Sequence, residues 1–261
     1  MRTAVVTGAS SGIGEATARR LDRDGWGVLI VARREDRLQA LAAELAHASF
    51  VAADLTDPDA PRRIADAVKE RFDGRLELLV NNAGTSKRAR FGDEDGGYAT
   101  VRRIMEVNFD AVVRLTEDLL PILRRSAPSS IVNVASVAGR VAYPRGGAYS
   151  ASKFALAGWS EALQQEEAAH GVHVGLVLPG FIATEGFPQD DLTQSARTRW
   201  IVSRPEKVAD AIVRAGPGGR HEVVVPRGYR VVPVLRAVVP ALVRRVTGQL
   251  GRGEAGESVR R

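Results

Sequence analysis

Tyr149 and Lys153 stand four residues apart in Tyr149-Ser-Ala-Ser-Lys153, and Ser136 lies upstream of them. On a helix that spacing projects a phenol and an ammonium from one face. An ammonium held beside a phenol favours the phenolate and lowers a pKa that starts near ~10. Tyr149 is therefore a candidate acid and base at neutral pH. The same spacing also occurs on solvated helix faces, so its meaning depends on what the rest of the chain supplies.

The first supplement is a glycine turn. Thr7-Gly-Ala-Ser-Ser-Gly-Ile-Gly14 follows an apolar strand pattern and opens a helix pattern. Glycines permit a tight turn and let backbone N–H groups approach a pyrophosphate, and a helix N-terminus favours the anion. Such a turn inside a βαβ unit reads as dinucleotide binding. The spacing is Gly-x-x-x-Gly-x-Gly rather than Gly-x-Gly-x-x-Gly.

These groups need elements to hold them. Apolar strand-like runs are expected at 2–7, 27–32, 49–53, 76–81, 130–135, 173–178 and 222–225. Runs such as Val28-Leu-Ile-Val31 are near-continuous, as in parallel strands covered on both faces. Helices are expected at 12–24, 34–47, 58–71, 97–126, 148–170 and 205–215, with Pro58 and Pro205 near helix entries. The alternation predicts an α/β doubly wound parallel sheet in a single domain. Its body spans 1–225, and 226–261 is an apolar, basic extension ending in a Gly/Arg/Glu-rich tail.

Composition limits the alternatives. The 261 residues are 44% apolar and 26% charged, which fits a globular chain with a substantial core. With no cysteine, disulfides, thiol nucleophiles and Cys–zinc sites are excluded. His47, His170, His173 and His221 have no metal-ligand spacing, so no metal is expected. The strand pattern starts at once, leaving no room for a signal or transit peptide, and the expected compartment is the cytoplasm. The net charge of +6 lacks aromatic-basic interleaving or a nucleic-acid motif, so no nucleic-acid partner is expected.

The glycine turn, Asn81-Asn-Ala-Gly84, Asn108, Ser136 and Tyr149-x-x-x-Lys153 occur in register from residue 3 to about 215. Together they resemble the short-chain dehydrogenase/reductase family, compact single-domain type. The resemblance implies a Rossmann-type sheet of seven strands, a nicotinamide cofactor and hydride transfer to or from a carbonyl or alcohol. Tyr149 is then the acid/base, and Lys153 lowers its pKa and bonds the nicotinamide ribose. Ser136 bonds the substrate oxygen, and Asn108 positions a water that relays protons toward Lys153. Gly8, Ser10, Ser11, Gly12, Ile13 and Gly14 become the pyrophosphate turn. Asp54 and Leu55 become adenine contacts, and Asn82, Ala83 and Gly84 lie along the cofactor, while Asn81 braces the sheet. Pro179, Gly180, Ile182 and Thr184 flank the nicotinamide. Helices 97–126 and 148–170 correspond to the family's dimer faces, implying a homodimer or homotetramer.

NAD sites usually carry an acidic residue at the end of the second strand. Here that position is Ala32; Arg33 follows it and can pair with a 2′-phosphate, and Arg34 adds to the field. NADP is the expected cofactor. NAD is the second choice, because Ser11 departs from the basic residue that many of the family's NADP users carry in the turn.

Substrate contacts are expected from Val137, Val141, Tyr143, Phe181, Phe187 and Trp200, which suggest an apolar ketone, aldehyde or secondary alcohol. Residues 226–250 are apolar but interrupted by Pro226, Pro233 and Pro240 and by arginines. The prolines argue against one long helix. The segment is read as a subunit contact or pocket cover, with peripheral membrane contact as the alternative. Two other functions stay in view. Isomerases or dehydratases on this fold usually have a different glycine spacing and a larger C-terminal domain. A catalytically silent dinucleotide scaffold typically lacks one of the four active residues, all present here.

Overall fold

The computed structural model describes residues 1–185 and 202–253, with side chains up to residue 248. In chain order the elements are β1 (Thr3–Thr7), α1 (Gly12–Arg23), β2 (Gly27–Ala32), α2 (Glu35–Glu44), β3 (Ala48–Ala52), α3 (Ala60–Phe72) and β4 (Leu78–Asn81). Then come α4 (Tyr98–Met105), a π-helical turn (Glu106–Asp110), α5 (Ala111–Arg125), β5 (Ser129–Val134), α6 (Gly147–Glu167) and β6 (Val172–Pro179). The remainder is β7 (Phe181–Ile182), β8 (Val202–Ser203), α7 (Pro205–Ala215), β9 (Glu222–Val225), α8 (Val231–Val238) and α9 (Pro240–Gly253).

Seven strands pair in the order β3-β2-β1-β4-β5-β6-β9, every pair parallel. This is the Rossmann-type doubly wound sheet expected from the alternation. β1, β2, β4 and β5 are buried along their full length, which explains their uninterrupted apolar sequence. Successive side chains enter opposite layers. Val28 and Ile30 join one core with Leu21 of α1 and Ile212 of α7. Leu29 and Val31 join the other, with Ile64 of α3 and Leu115, Leu119 and Leu123 of α5. The strand order reverses between β1 and β4, and the crevice beyond their carboxyl ends is where ligands bind in such sheets.

Three elements differ from the sequence reading. The helix expected over 97–126 is divided by the π-helical turn at Glu106–Asp110 into α4 and α5. The helix expected over 148–170 ends at Glu167, followed by a 3₁₀ turn and Gly171 at φ 71°. A two-stranded pair, β7 with β8, was not expected; each strand is only two residues long, too short for a periodic signal. Residues 226–250 form two helices, parted where Val239 leaves helical geometry before Pro240.

Candidate active site

The glycine turn closes on itself by contact. Gly8 has φ 67°, and a Cβ there would lie 2.9 Å from the Ala83 Cα. A Cβ on Gly14 would lie 2.3 Å from the Gly8 carbonyl oxygen. Thr7 Oγ accepts from the backbone N–H groups of Asn82 (3.0 Å) and Ala83 (3.1 Å), and the Asn82 side chain donates to the Thr7 carbonyl (2.9 Å). The ends of β1 and β4 are thereby locked into one floor. Ser11 precedes α1 in extended geometry and makes no side-chain capping bond. The first-turn amides of α1 thus keep their donors for an anion. Ile13 is half-buried in that turn. Thr184 reaches the same place, because a Cβ on Gly12 would lie 3.1 Å from its Cγ2. These groups fit a dinucleotide pyrophosphate.

Two arginines after β2 go different ways. Arg34 lies over the turn, donating to Ser11 Oγ (2.7 Å), to Ser10 Oγ (3.1 Å) and to the Ser10 carbonyl (3.4 Å). Arg33 projects toward Asp54, 3.8 Å away, and stays largely exposed. Asp54 Oδ1 accepts from the Thr56 N–H (3.0 Å) and hydroxyl (2.8 Å), and the first of these bonds does most to hold its carboxyl below the usual range. Asp54 therefore caps its turn while its other oxygen faces Arg33; Leu55 beside it is buried. Sequence reasoning missed Arg37 and Glu185, which pair at 3.0 Å, with Arg34 at 3.5 Å from the same carboxylate. No local pattern links residues so far apart in the chain.

Ser136, Tyr149 and Lys153 meet beyond β5. Ser136 is buried, donates to the Pro179 carbonyl (3.2 Å) and accepts from the Ala138 N–H (3.1 Å). Tyr149, in the first turn of α6, is half-buried and hydrogen-bonded to Ser136. Lys153, one turn on, is buried; its Nζ donates to the Val134 carbonyl (2.9 Å) and lies 5.8 Å from the Tyr149 ring centre. Gly84 lies against both Asn108 and Lys153, since a Cβ there would stand 3.2 Å from Asn108 Oδ1 and 3.6 Å from Lys153 Nζ.

Electrostatics differ from the sequence expectation. Burial pushes the Tyr149 phenol up to about 12, against a smaller lowering by the Ser136 bond. Burial also brings Lys153 down to about 8. In the protein alone, desolvation decides the direction for the phenol, and no lowering by the ammonium offsets it. Each group is driven toward its neutral form.

Asn108 sits in the π-helical turn and is fully buried. Its Oδ1 accepts from the Thr85 N–H (2.8 Å), and its Nδ2 donates to the Thr85 carbonyl (2.9 Å) and to Ser152 Oγ (3.0 Å). Both side-chain donors are committed, so they do not supply a water. Asn81 donates to Thr116 Oγ and Asn133 Oδ1, the bracing role expected of it.

Of the expected substrate contacts, Val137 packs on the core of Leu156 and Leu178, Val141 is buried, and Tyr143 is half-buried beside Gly146, with Ile182 buried in β7 and Phe181 exposed. Phe187 and Trp200 lie outside the described residues. Tyr229 was missed: its ring packs on Gly180, where a Cβ would come within 2.7 Å, and stacks edge-on to Phe181 at 6.5 Å. Its signal was present, as the sole aromatic residue of 226–250.

The sequence pattern of short chain dehydrogenases matches residues 2–194 of this chain. The chain belongs to the short-chain dehydrogenase family. It is thus an NAD(P)-dependent oxidoreductase acting on CH–OH or C=O groups. Among its relatives, the cis-4-hydroxycyclohexanecarboxylate dehydrogenase of Sinomonas cyclohexanicum is 36% identical over 220 residues, 81% of this chain and 87% of the relative. A short-chain dehydrogenase from Streptomyces avermitilis superposes with TM-score 0.79 at 29% identity, covering 97% of each chain. An alcohol dehydrogenase from Thermococcus sibiricus, complexed with 5-hydroxy-NADP, gives TM-score 0.76 at 27% identity, covering 86% of this dehydrogenase and 96% of the other.

Proposed function

We propose that this dehydrogenase is an NADP(H)-preferring carbonyl reductase or alcohol dehydrogenase for an apolar ketone, aldehyde or secondary alcohol, with Tyr149 as its acid/base. The observation that carries the reading is Tyr149, bonded to Ser136 and one helical turn from the buried Lys153, at the crevice that the glycine turn lines. The nicotinamide, when bound, supplies or accepts the hydride. In reduction the Tyr149 hydroxyl gives its proton to the carbonyl oxygen, and Ser136 hydrogen-bonds that oxygen. Lys153 stabilises the phenolate left behind and bonds the nicotinamide ribose. The Asn108 turn supports the relay through its position beside Lys153; any water there uses a backbone carbonyl or the second lone pair of Oδ1.

Arg34 supports the NADP preference. The turn lacks a basic residue of its own, and Arg34 brings a guanidinium over Ser10 and Ser11 from the neighbouring strand end. Arg33 flanks the same region from the Asp54 side. Asp54 and Leu55 would face the adenine, Asn82, Ala83 and Gly84 the middle of the cofactor, and Pro179, Gly180, Ile182 and Thr184 the carboxamide. Val137, Val141 and Tyr143 favour an apolar substrate. A cytoplasmic homodimer or homotetramer assembled through α5 and α6 belongs to the same reading, and sedimentation velocity tests it. Tyr149→Phe should remove carbonyl-dependent NADPH oxidation, by roughly a thousandfold or more, while NADPH still binds by fluorescence titration. Wild-type turnover in that variant would reject the assignment.

A further inference from the structure

We infer that α8 and α9 dock this enzyme on an anionic membrane surface. The observation is an apolar stripe pointing away from the body of the molecule. Val231, Val234, Leu235 and Val238 are all exposed, at the i, i+3, i+4, i+7 spacing of one helix face. Val239 at the join is exposed, as are Leu242 and Val246, which stand four residues apart on α9. The opposite side of α8 meets the protein: Arg236 lies over the Phe154 ring at 4.8 Å and donates to the Arg140 carbonyl, while Val232 and Pro233 are half-buried. A surface helix ordinarily turns this stripe inward. Contiguous exposed apolar residues mark an interaction site.

Charge selects the occupant. From residue 223 to residue 253 the chain has six arginines and no Asp or Glu. Arg227, Arg230, Arg244 and Arg245 are exposed, and among the described residues none of the four has a carboxylate partner. A second copy docked through the same two-fold patch would set arginines against arginines. A pocket cover would turn the stripe toward the body; here it faces away, and Tyr229 is the residue of this segment that packs on Gly180 and Phe181. Anionic lipid headgroups answer the arginines, and the acyl boundary answers the valines and leucines. The helices lie on the bilayer, because among the described residues no helix is long and apolar enough to cross one.

The test is co-sedimentation of the full-length protein with phosphatidylcholine vesicles, with or without phosphatidylglycerol. Wild type should pellet with the anionic vesicles and only weakly with the neutral ones, and raised salt should release it. The triple variant Arg230→Gln, Arg244→Gln, Arg245→Gln should lose roughly a hundredfold in partitioning, at about fivefold per arginine. The variant Val234→Ser, Val238→Ser, Leu242→Ser should lose binding to a similar degree. Circular dichroism and NADPH affinity should match wild type in both variants. Wild type left in the supernatant overturns the inference, as does equal pelleting of all three proteins. So does a concentration-dependent dimer that the serine variant abolishes without any lipid binding. Vesicle binding is read without turnover, so its failure would leave the assignment of Tyr149 untouched.

Discussion

Tyr149 keeps its proton through the neutral range because burial raises the phenol to about 12. Lys153 is the group that titrates. Burial lowers it to about 8, so its ammonium is present below that pH and is lost as pH rises through it. In the proposed mechanism reduction leaves a phenolate beside this residue, which a neutral Lys153 would not stabilise. The reductive kcat/KM should therefore fall as pH rises past about 8, with Tyr149 still protonated. Stopped-flow or steady-state profiles of wild type and Lys153→Met check this; the variant should be slow and lack that limb, and a wild-type rate level to pH 10 would count against it. At the cofactor end, Arg34→Ala should weaken NADPH by roughly ten- to a hundredfold while NADH changes little, since a charge-assisted contact to phosphate is lost. Arg33→Ala should show the same preference with a smaller loss, because Arg33 is the more exposed of the two. Equal losses for both cofactors in isothermal titration would refute the discrimination. Glu185 reaches both Arg34 and Arg37 and would compete for that phosphate in the proposed NADP site.

At the scale of elements, the break between α4 and α5 does what one unbroken helix would not. A π-helical turn inserts an extra residue into the ladder and re-aims the side chains around it. Here it buries Asn108, which joins Thr85 of the loop after β4 to Ser152 of α6. Asn108→Ala would leave the Thr85 N–H without its acceptor, at a cost of about 1–3 kcal/mol. Urea unfolding should show that loss together with reduced turnover, and restored stability in Asn108→Asp without restored donors would isolate the accepting role. The sequence singled out Asn108 but not the turn that carries it. Its neighbours Glu106-Val-Asn-Phe-Asp110 have ordinary helical periodicity. The π geometry comes from buried partners on other elements.

For the whole molecule, two apolar layers clamp one sheet, and the proposed catalytic groups hang from its carboxyl edge. Leu119 of α5 is fully buried against the β4–β5 side of that sheet. Leu119→Ala should cost about 2–5 kcal/mol and lower Tm without altering cofactor selectivity, as measured by denaturant unfolding and paired NADPH and NADH affinities. A changed selectivity would mean that the layers and the site are more tightly coupled than their separation suggests.

The amino-acid sequence by itself determined the strand and helix alternation, because burial on both faces demands uninterrupted apolar strands. It also determined the glycine turn, because only glycine fits where a Cβ would meet backbone within 3 Å at Gly8 and Gly14. Tyr149 and Lys153 share a helix face at any fixed spacing of four. Tertiary structure alone decided their acidity. The pKa of a phenol or an ammonium depends on how much water surrounds it, and burial beneath the β5 edge reversed the direction that local spacing implied for Tyr149. It also decided which arginine covers the turn, where Tyr229 packs, and that the apolar stripe of α8 faces outward. Each of these is a contact, or an absence of one, between segments that no local pattern relates.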